Sequence, residues 1–165
     1  MLANFGIGTL VASAIRMSSI GVVAPQAIAT ATLAVDTPGE GFVEITREVV
    51  RFVADAGAAD GALFLFIRHT SASLTIQENA DPDVRTDLVT ALRRLAPENA
   101  RWVHDTEVPD DMPAHVKCLL TGVSLHIPVI GGALALGTWQ GIYVAEHRAR
   151  AHRREVVLQF VGSRR

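Results

Sequence analysis

The amino-acid sequence predicts an α+β fold, a layered and mostly antiparallel β-sheet sandwich with about three helices. Two observations carry that expectation. Apolar residues recur in six or more short runs with the alternation or density of strands, and helix-spaced segments fall between the early ones. In the last third, strand-like runs follow one another with only turn signals between them, which favours antiparallel neighbours.

The elements follow in order. "ATATLAVDT" (Ala29–Thr37) alternates small polar and apolar residues and reads as a strand, after which "PGEG" turns the chain. Thr46 can cap a helix that keeps Val49, Val50, Val53 and Ala56 at helical spacing, with Gly57 as its stop. Ala62–Arg68 is a dense apolar strand, and Ser73–Gln77 either continues it or pairs with it. Asp81-Pro82-Asp83 starts a second helix: an acceptor at the N-cap, proline at N1 and acid in the first turn. Val84, Leu88, Ala91, Leu92 and Leu95 share one face of it, and Pro97 lies beyond its end. After the acidic connection "ENARWVHDTEVPDD", Asp111 caps a third helix with Met112, Val116, Leu119 and Leu120 inward and Gly122 as stop. "VSLHIPVI", Gly131-Gly132 and "ALAL" form a hairpin. "TWQGIYVAEH" and "REVVLQFVG" are two more strands, joined by "RARAHR".

A chain of 165 residues fits one domain, here residues 26–165, preceded by a leader over 1–25. The leader is small-residue-rich and interrupted by Arg16, too short and broken for a membrane span, and a cytoplasmic location is expected. A formal net charge of -2 argues against nucleic acid or an anionic membrane as partner. The single cysteine, Cys118, permits no intrachain disulfide and lies in a helical apolar pattern that suits core packing.

Polar groups collect where the apolar runs end. In "HTSASLTIQENADPD", His69, Ser71 and Ser73 project to one face if the strand continues, a row suited to binding or proton transfer. Bonds from these hydroxyls to neighbouring backbone explain them equally well. Asp81 is accounted for as a cap, whereas Asn79 and Asp83 are not accounted for by capping alone. His115 shares a face with Met112 and Leu119, which fits a ligand or a hydrogen-bonded core histidine. His126, among apolar strand residues, fits the latter. Gln140 and Glu146 share a strand face, and Glu146 beside His147 makes an acid–base pair. "HRARAHRRE" offers arginine forks for phosphate or a solvated hairpin tip. No GxSxG, HExxH, CxxC, P-loop or GxGxxG pattern occurs.

Three blocks, "FIRHTSASLTIQENADPDVRTDL", "PDDMPAHVKCLLTGVSLHIPV" and "GGALALGTWQGIYVAEHR", resemble the YjbQ family, with Ser124–Ile142 matching its signature pattern. The resemblance runs from about Ala31 to Gly162 and fails at "RARAHRRE", where the family pattern has a glycine-containing loop. It implies a layered antiparallel sheet, a homotrimer, and secondary thiamine-phosphate synthase activity: a pyrimidine diphosphate joins a thiazole phosphate and pyrophosphate leaves. The polar positions it carries over are His69, Thr70, Ser71, Ser73, Asn79, Asp81, Asp83, Asp111, His115, Gln140, Glu146, His147 and Arg148.

The expected site therefore has His69, His115, Glu146 and His147 as catalytic groups, and Ser71, Ser73, Asn79, Gln140 and Arg148 against a phosphorylated small molecule. His115, His147, Asp81 and Asp83 are candidate ligands for a divalent metal, Mg²⁺ or Zn²⁺. A metal- or ligand-binding trimer whose thiamine-related activity is incidental is the competing expectation.

Overall fold

The computed structural model describes residues 17–165. The first sixteen residues of the expected leader lie outside the described residues, and Met17–Gln26 form no helix or strand. Eleven elements follow: β1 Ala27–Thr37, β2 Gly41–Glu44, α1 Thr46–Asp55, β3 Ala58–Ile67, β4 Ala72–Glu78, α2 Pro82–Leu95, α3 Asp111–Thr121, β5 Ser124–Ile130, β6 Ala133–Leu134, β7 Gln140–Glu146 and β8 His152–Arg164. They make the α+β sandwich with three helices that the patterning predicts.

Two sheets result, a large one ordered β1-β8-β3-β5-β6 and a small one ordered β2-β7-β4. Every pairing is antiparallel. Leu63, Leu65, Ile67, Ile127, Val156, Leu158 and Phe160 from the large sheet meet Leu74, Ile142 and Val144 from the small one, with Val49 and Val53 of α1. All of these side chains are essentially closed to water, and their burial is the main stabilising contribution. The opposite face of the small sheet lies under α2 and α3: Arg85 reaches Tyr143, and Thr121 reaches Ser73.

Several expectations need correction. β4 neither continues nor pairs with β3; it joins the small sheet beside β7. The four residues of β2, hidden by the glycines around them, also pair with β7. Ile45, not Thr46, is the N-cap of α1, and Thr46 Oγ1 accepts from the Ile142 N–H at 2.9 Å. Asp110, not Asp111, caps α3. That helix buries Asp111, Pro113, Ala114, Lys117 and Cys118, while Leu119 and Leu120 are 84% and 56% exposed. The reversal has a charge explanation, because the inward Lys117 is paired with Glu40 at 2.6 Å. The β5–β6 turn does follow its glycines: Gly131 and Gly132 hold φ 57° and 80°, the left-handed pair a tight hairpin requires.

At the β3–β8 crossing, the register shifts between Ala58 and Gly61. A Cβ on Gly61 would collide with the Val161 carbonyl and one on Gly162 with that of Asp60, so only glycine admits this backbone approach.

Candidate functional site

Glu146, at the end of β7, is the centre of a buried ion pair. Arg154 of β8 donates from Nε and Nη2 to its two oxygens at 2.7 and 2.6 Å. Thr37 Oγ1 donates at 2.7 Å, and the N–H groups of His147 and Arg148 at 3.1 and 3.0 Å. Burial pushes this carboxyl upward, but the bonds from Arg154, Thr37 and Arg148 outweigh it and hold it below the usual range. Glu146 is therefore a fixed anion that orients Arg154, and at 1% exposure it is out of a substrate's reach.

His147 is 3% exposed and Ser73 is fully closed. Ser73 Oγ lies 2.8 Å from His147 Nε2, and Thr121 Oγ1 lies 2.6 Å from Ser73 Oγ and 2.7 Å from the Lys117 carbonyl. Thr121 has one proton to give, so the fully satisfied relay runs from His147 Nε2–H to Ser73, to Thr121, to the Lys117 carbonyl. Burial, then the Lys117 charge, lowers the His147 pKa to about 4, which keeps this ring neutral.

In contrast, His69 and His115 share an open cleft of about 330 Å³ with Thr70, Cys118, Leu119, Gly122 and Val123. Cys118 donates to the Ala72 carbonyl at 3.1 Å, and burial pushes its thiol up, as suits packing. His69 Nε2 accepts from the Glu155 N–H at 3.1 Å, and its Nδ1 faces Arg154 Nη1 at 3.4 Å. Burial, then the Arg154 charge, lowers the His69 pKa. Ser71 Oγ accepts from Arg154 Nη2 at 3.2 Å.

His115 also belongs to a His–Asp–His cluster. His104, Asp111 and His115 offer ligand atoms that all lie within 4.8 Å of one another. His115 Nδ1 donates to the Thr70 carbonyl at 3.0 Å, which leaves Nε2 as an acceptor. That nitrogen faces Asp111 Oδ2, itself an acceptor, at 3.4 Å. His104 Nε2 approaches the same oxygen at 2.9 Å. His104 Nε2–H can donate to that oxygen; once that proton is displaced, the three ligand atoms fit a shared cation, and Arg148 holds the other Asp111 oxygen, Oδ1, in place. The residues present thus fit a divalent metal, and they are not those expected. His115 belongs to the group, whereas His147 is committed to Ser73, and Asp81 accepts from the Asp83 N–H at the start of α2. His104 also lines a second cavity of about 370 Å³ along the 98–109 connection.

The structure splits the remaining candidates. Ala72 pairs with Glu146 and Glu78 with Gln140, so the two ends of the β4–β7 ladder are about 20 Å apart. Asn79, Asp81, Asp83 and Gln140 lie at the far end, where Gln140 Oε1 accepts from the Gly137 N–H at 2.7 Å. Arg148 is turned to Asp110 and Asp111, which take its Nε and Nη1. His104 and Arg154 went unassigned in the sequence reading. His104 sits in an irregular connection without ligand spacing, and Arg154 is one of several arginines in a basic run.

The family model "UPF0047 protein YjbQ-like" matches residues 31–163. The UPF0047 protein sll1880 of Synechocystis is 47% identical over 131 residues, 79% of this chain and 89% of that protein. The UPF0047 protein YjbQ of Escherichia coli O157:H7 is 41% identical over 132 residues, 79% of this chain and 96% of its own. Among solved structures, the conserved hypothetical protein TT1486 of Thermus thermophilus superimposes with a TM-score of 0.67 at 41% identity, covering 78% of this chain and 97% of its own. A YbjQ-like protein of unknown function from Sulfolobus solfataricus P2 has a TM-score of 0.75 at 21% identity, covering 83% and 100%, a likeness of fold. With its fold, its family match over residues 31–163 and relatives of this identity, the chain belongs to the YjbQ (UPF0047) family.

Proposed function

We propose that the protein is a small metal-dependent enzyme that works on a phosphorylated small molecule in the cleft between His69 and His115. The observation that carries this is the convergence of His104, Asp111 and His115, of which His115 lines that cleft. Two imidazoles and one carboxylate suit Zn²⁺ or another transition metal better than Mg²⁺, which prefers oxygen ligands. When bound, such an ion supplies Lewis-acid stabilisation of phosphate oxygens. The chain's own residues then have defined tasks: Arg148 holds Asp111, the Thr70 carbonyl orients His115, and Glu146 orients Arg154 towards His69 and Ser71.

The reaction proposed is of the secondary thiamine-phosphate synthase type. The thiazole nitrogen forms a bond to the pyrimidine's methylene carbon as the carbon–oxygen bond to pyrophosphate breaks. A homotrimer in the cytoplasm completes the proposal, with no nucleic acid or membrane partner. The large sheet's outer face leaves Phe64 and Phe66 38% and 49% exposed, a surface suited to self-association. Among the described residues no helix is long and apolar enough to cross a membrane.

Incubation with the two substrates, with and without EDTA, tests the activity, and sedimentation tests the trimer. Product formation that falls with EDTA and with Asp111→Ala is expected. Background-level product in every arm overturns the enzymatic reading. One observation favours the competing reading of a metal- and ligand-binding protein: Glu146, Ser73 and His147 are closed to substrate. Bound metal without turnover would select it.

A further inference from the structure

Two N–H donors meet near the cleft without an acceptor between them. His69 Nε2 already accepts from the Glu155 N–H at 3.1 Å. A neutral imidazole has one protonated nitrogen, so the His69 proton must sit on Nδ1. Nδ1–H then faces the Arg154 Nη1–H group at 3.4 Å, and neither can accept from the other. The lowered pKa of His69, caused by burial and then by Arg154, agrees with the neutral ring. Ser71 Oγ accepts from Arg154 Nη2 at 3.2 Å, which turns its hydroxyl proton outward as a third donor. Arg154 cannot retreat, because Glu146 holds it through Nε and Nη2.

We infer that His69 Nδ1–H and the Ser71 hydroxyl, backed by the positive charge of the buried Arg154, form an oxyanion subsite that takes a phosphoryl oxygen of the ligand. A phosphoryl oxygen accepts several hydrogen bonds at once, with charge assistance from the guanidinium. His69 lines the same cleft as His115, so this donor cluster complements the acceptor cluster around Asp111. The inference deepens the reading above by naming where the substrate's phosphate rests, and it makes Arg154, not Arg148, the charge behind that position.

The test uses ¹⁵N-labelled full-length protein stripped of metal with EDTA and long-range ¹H–¹⁵N correlation spectra of its histidine rings. The expected result is a neutral His69 protonated at Nδ1, whose Nδ1 resonance moves saturably with inorganic phosphate. Ser71→Ala should weaken that phosphate affinity about tenfold, the loss of one hydrogen bond to a charged group. The exposed ring of His126 should not move. Protonation at Nε2, or no saturable shift at His69, overturns the subsite. Acetate saturating at lower concentration than phosphate overturns the phosphoryl assignment. Zinc binding is measured separately on the same protein. A shift at His69 without any zinc uptake leaves the subsite standing and removes the metal reading, and the reverse result does the opposite.

Discussion

Ser73 Oγ lies 2.8 Å from His147 Nε2, with both residues sealed from solvent beneath α3. The spacing is that of a nucleophile and its base, but neither group can reach a substrate. The pair fastens β4 to the end of β7 and, through Thr121, to α3. Ser73→Ala should cost about 1–3 kcal/mol, the penalty for an unsatisfied buried donor. Urea unfolding measures it, and metal content should stay unchanged. A variant as stable as the parent would remove this relay from the account.

The neutral His147 makes stability depend on pH. Its folded pKa of about 4 lies below the ordinary 6.5, so the unfolded chain binds a proton more readily. Its contribution is complete above the unfolded value and is lost as pH falls from there towards about 4. The full loss is about 3 kcal/mol from the size of the shift. His147→Gln should flatten this part of the profile, seen as a smaller drop in urea midpoint between neutral and mildly acidic buffer.

Metal uptake is expected near one equivalent per chain by elemental analysis. His104→Ala, Asp111→Ala and His115→Ala should each abolish it, while His126→Ala should not. In the parent, metal at a hundredfold excess over its Kd should stabilise by about 2.7 kcal/mol. Equal uptake by parent and Asp111→Ala would rule out this cluster.

Breaking the ion pair from one side should be expensive. Arg154→Ala leaves Glu146 buried without its guanidinium and should cost about 3–5 kcal/mol. The double substitution Arg154→Met with Glu146→Gln should recover much of that loss. A calorimetric melt on the three proteins separates an uncompensated charge from lost packing.

At the far end of the β4–β7 ladder, Asp81→Ala should cost about 1 kcal/mol through its lost cap bond to the Asp83 N–H. Metal content and phosphate binding should not change. Any loss of either would put Asp81 back among the site residues.

The strands and helices were legible because they depend on local periodicity: the Asp81-Pro82 start of α2 and the Gly131-Gly132 turn needed nothing from elsewhere. What the sequence hid was pairing. β4 and β7 look alike whether they join one sheet or another, and only their antiparallel register shows that Asn79 and Ser73 belong to opposite ends. The motif blocks around His69 and His115 lead to one cleft. They also drew in Glu146, Ser73 and His147, whose burial no spacing rule reveals. His104 was missed because seven residues and an irregular backbone separate it from Asp111. Arg154 was missed because a run of arginines hides which one faces inward. Lys117 reversed the reading of α3, since a charged residue turned inward defeats hydrophobic patterning.

The sheet order places β8 between β1 and β3. Both of those strands are made first, and each lacks its central neighbour until the stretch from His152 to Arg164 has left the ribosome. Arg154 comes with that stretch, so Glu146 stays an unmatched charge for as long as β8 is missing. The nascent chain must wait with two long open edges, a state prone to aggregate or to recruit chaperones. Closing the large sheet and neutralising Glu146 thus depend on the same strand.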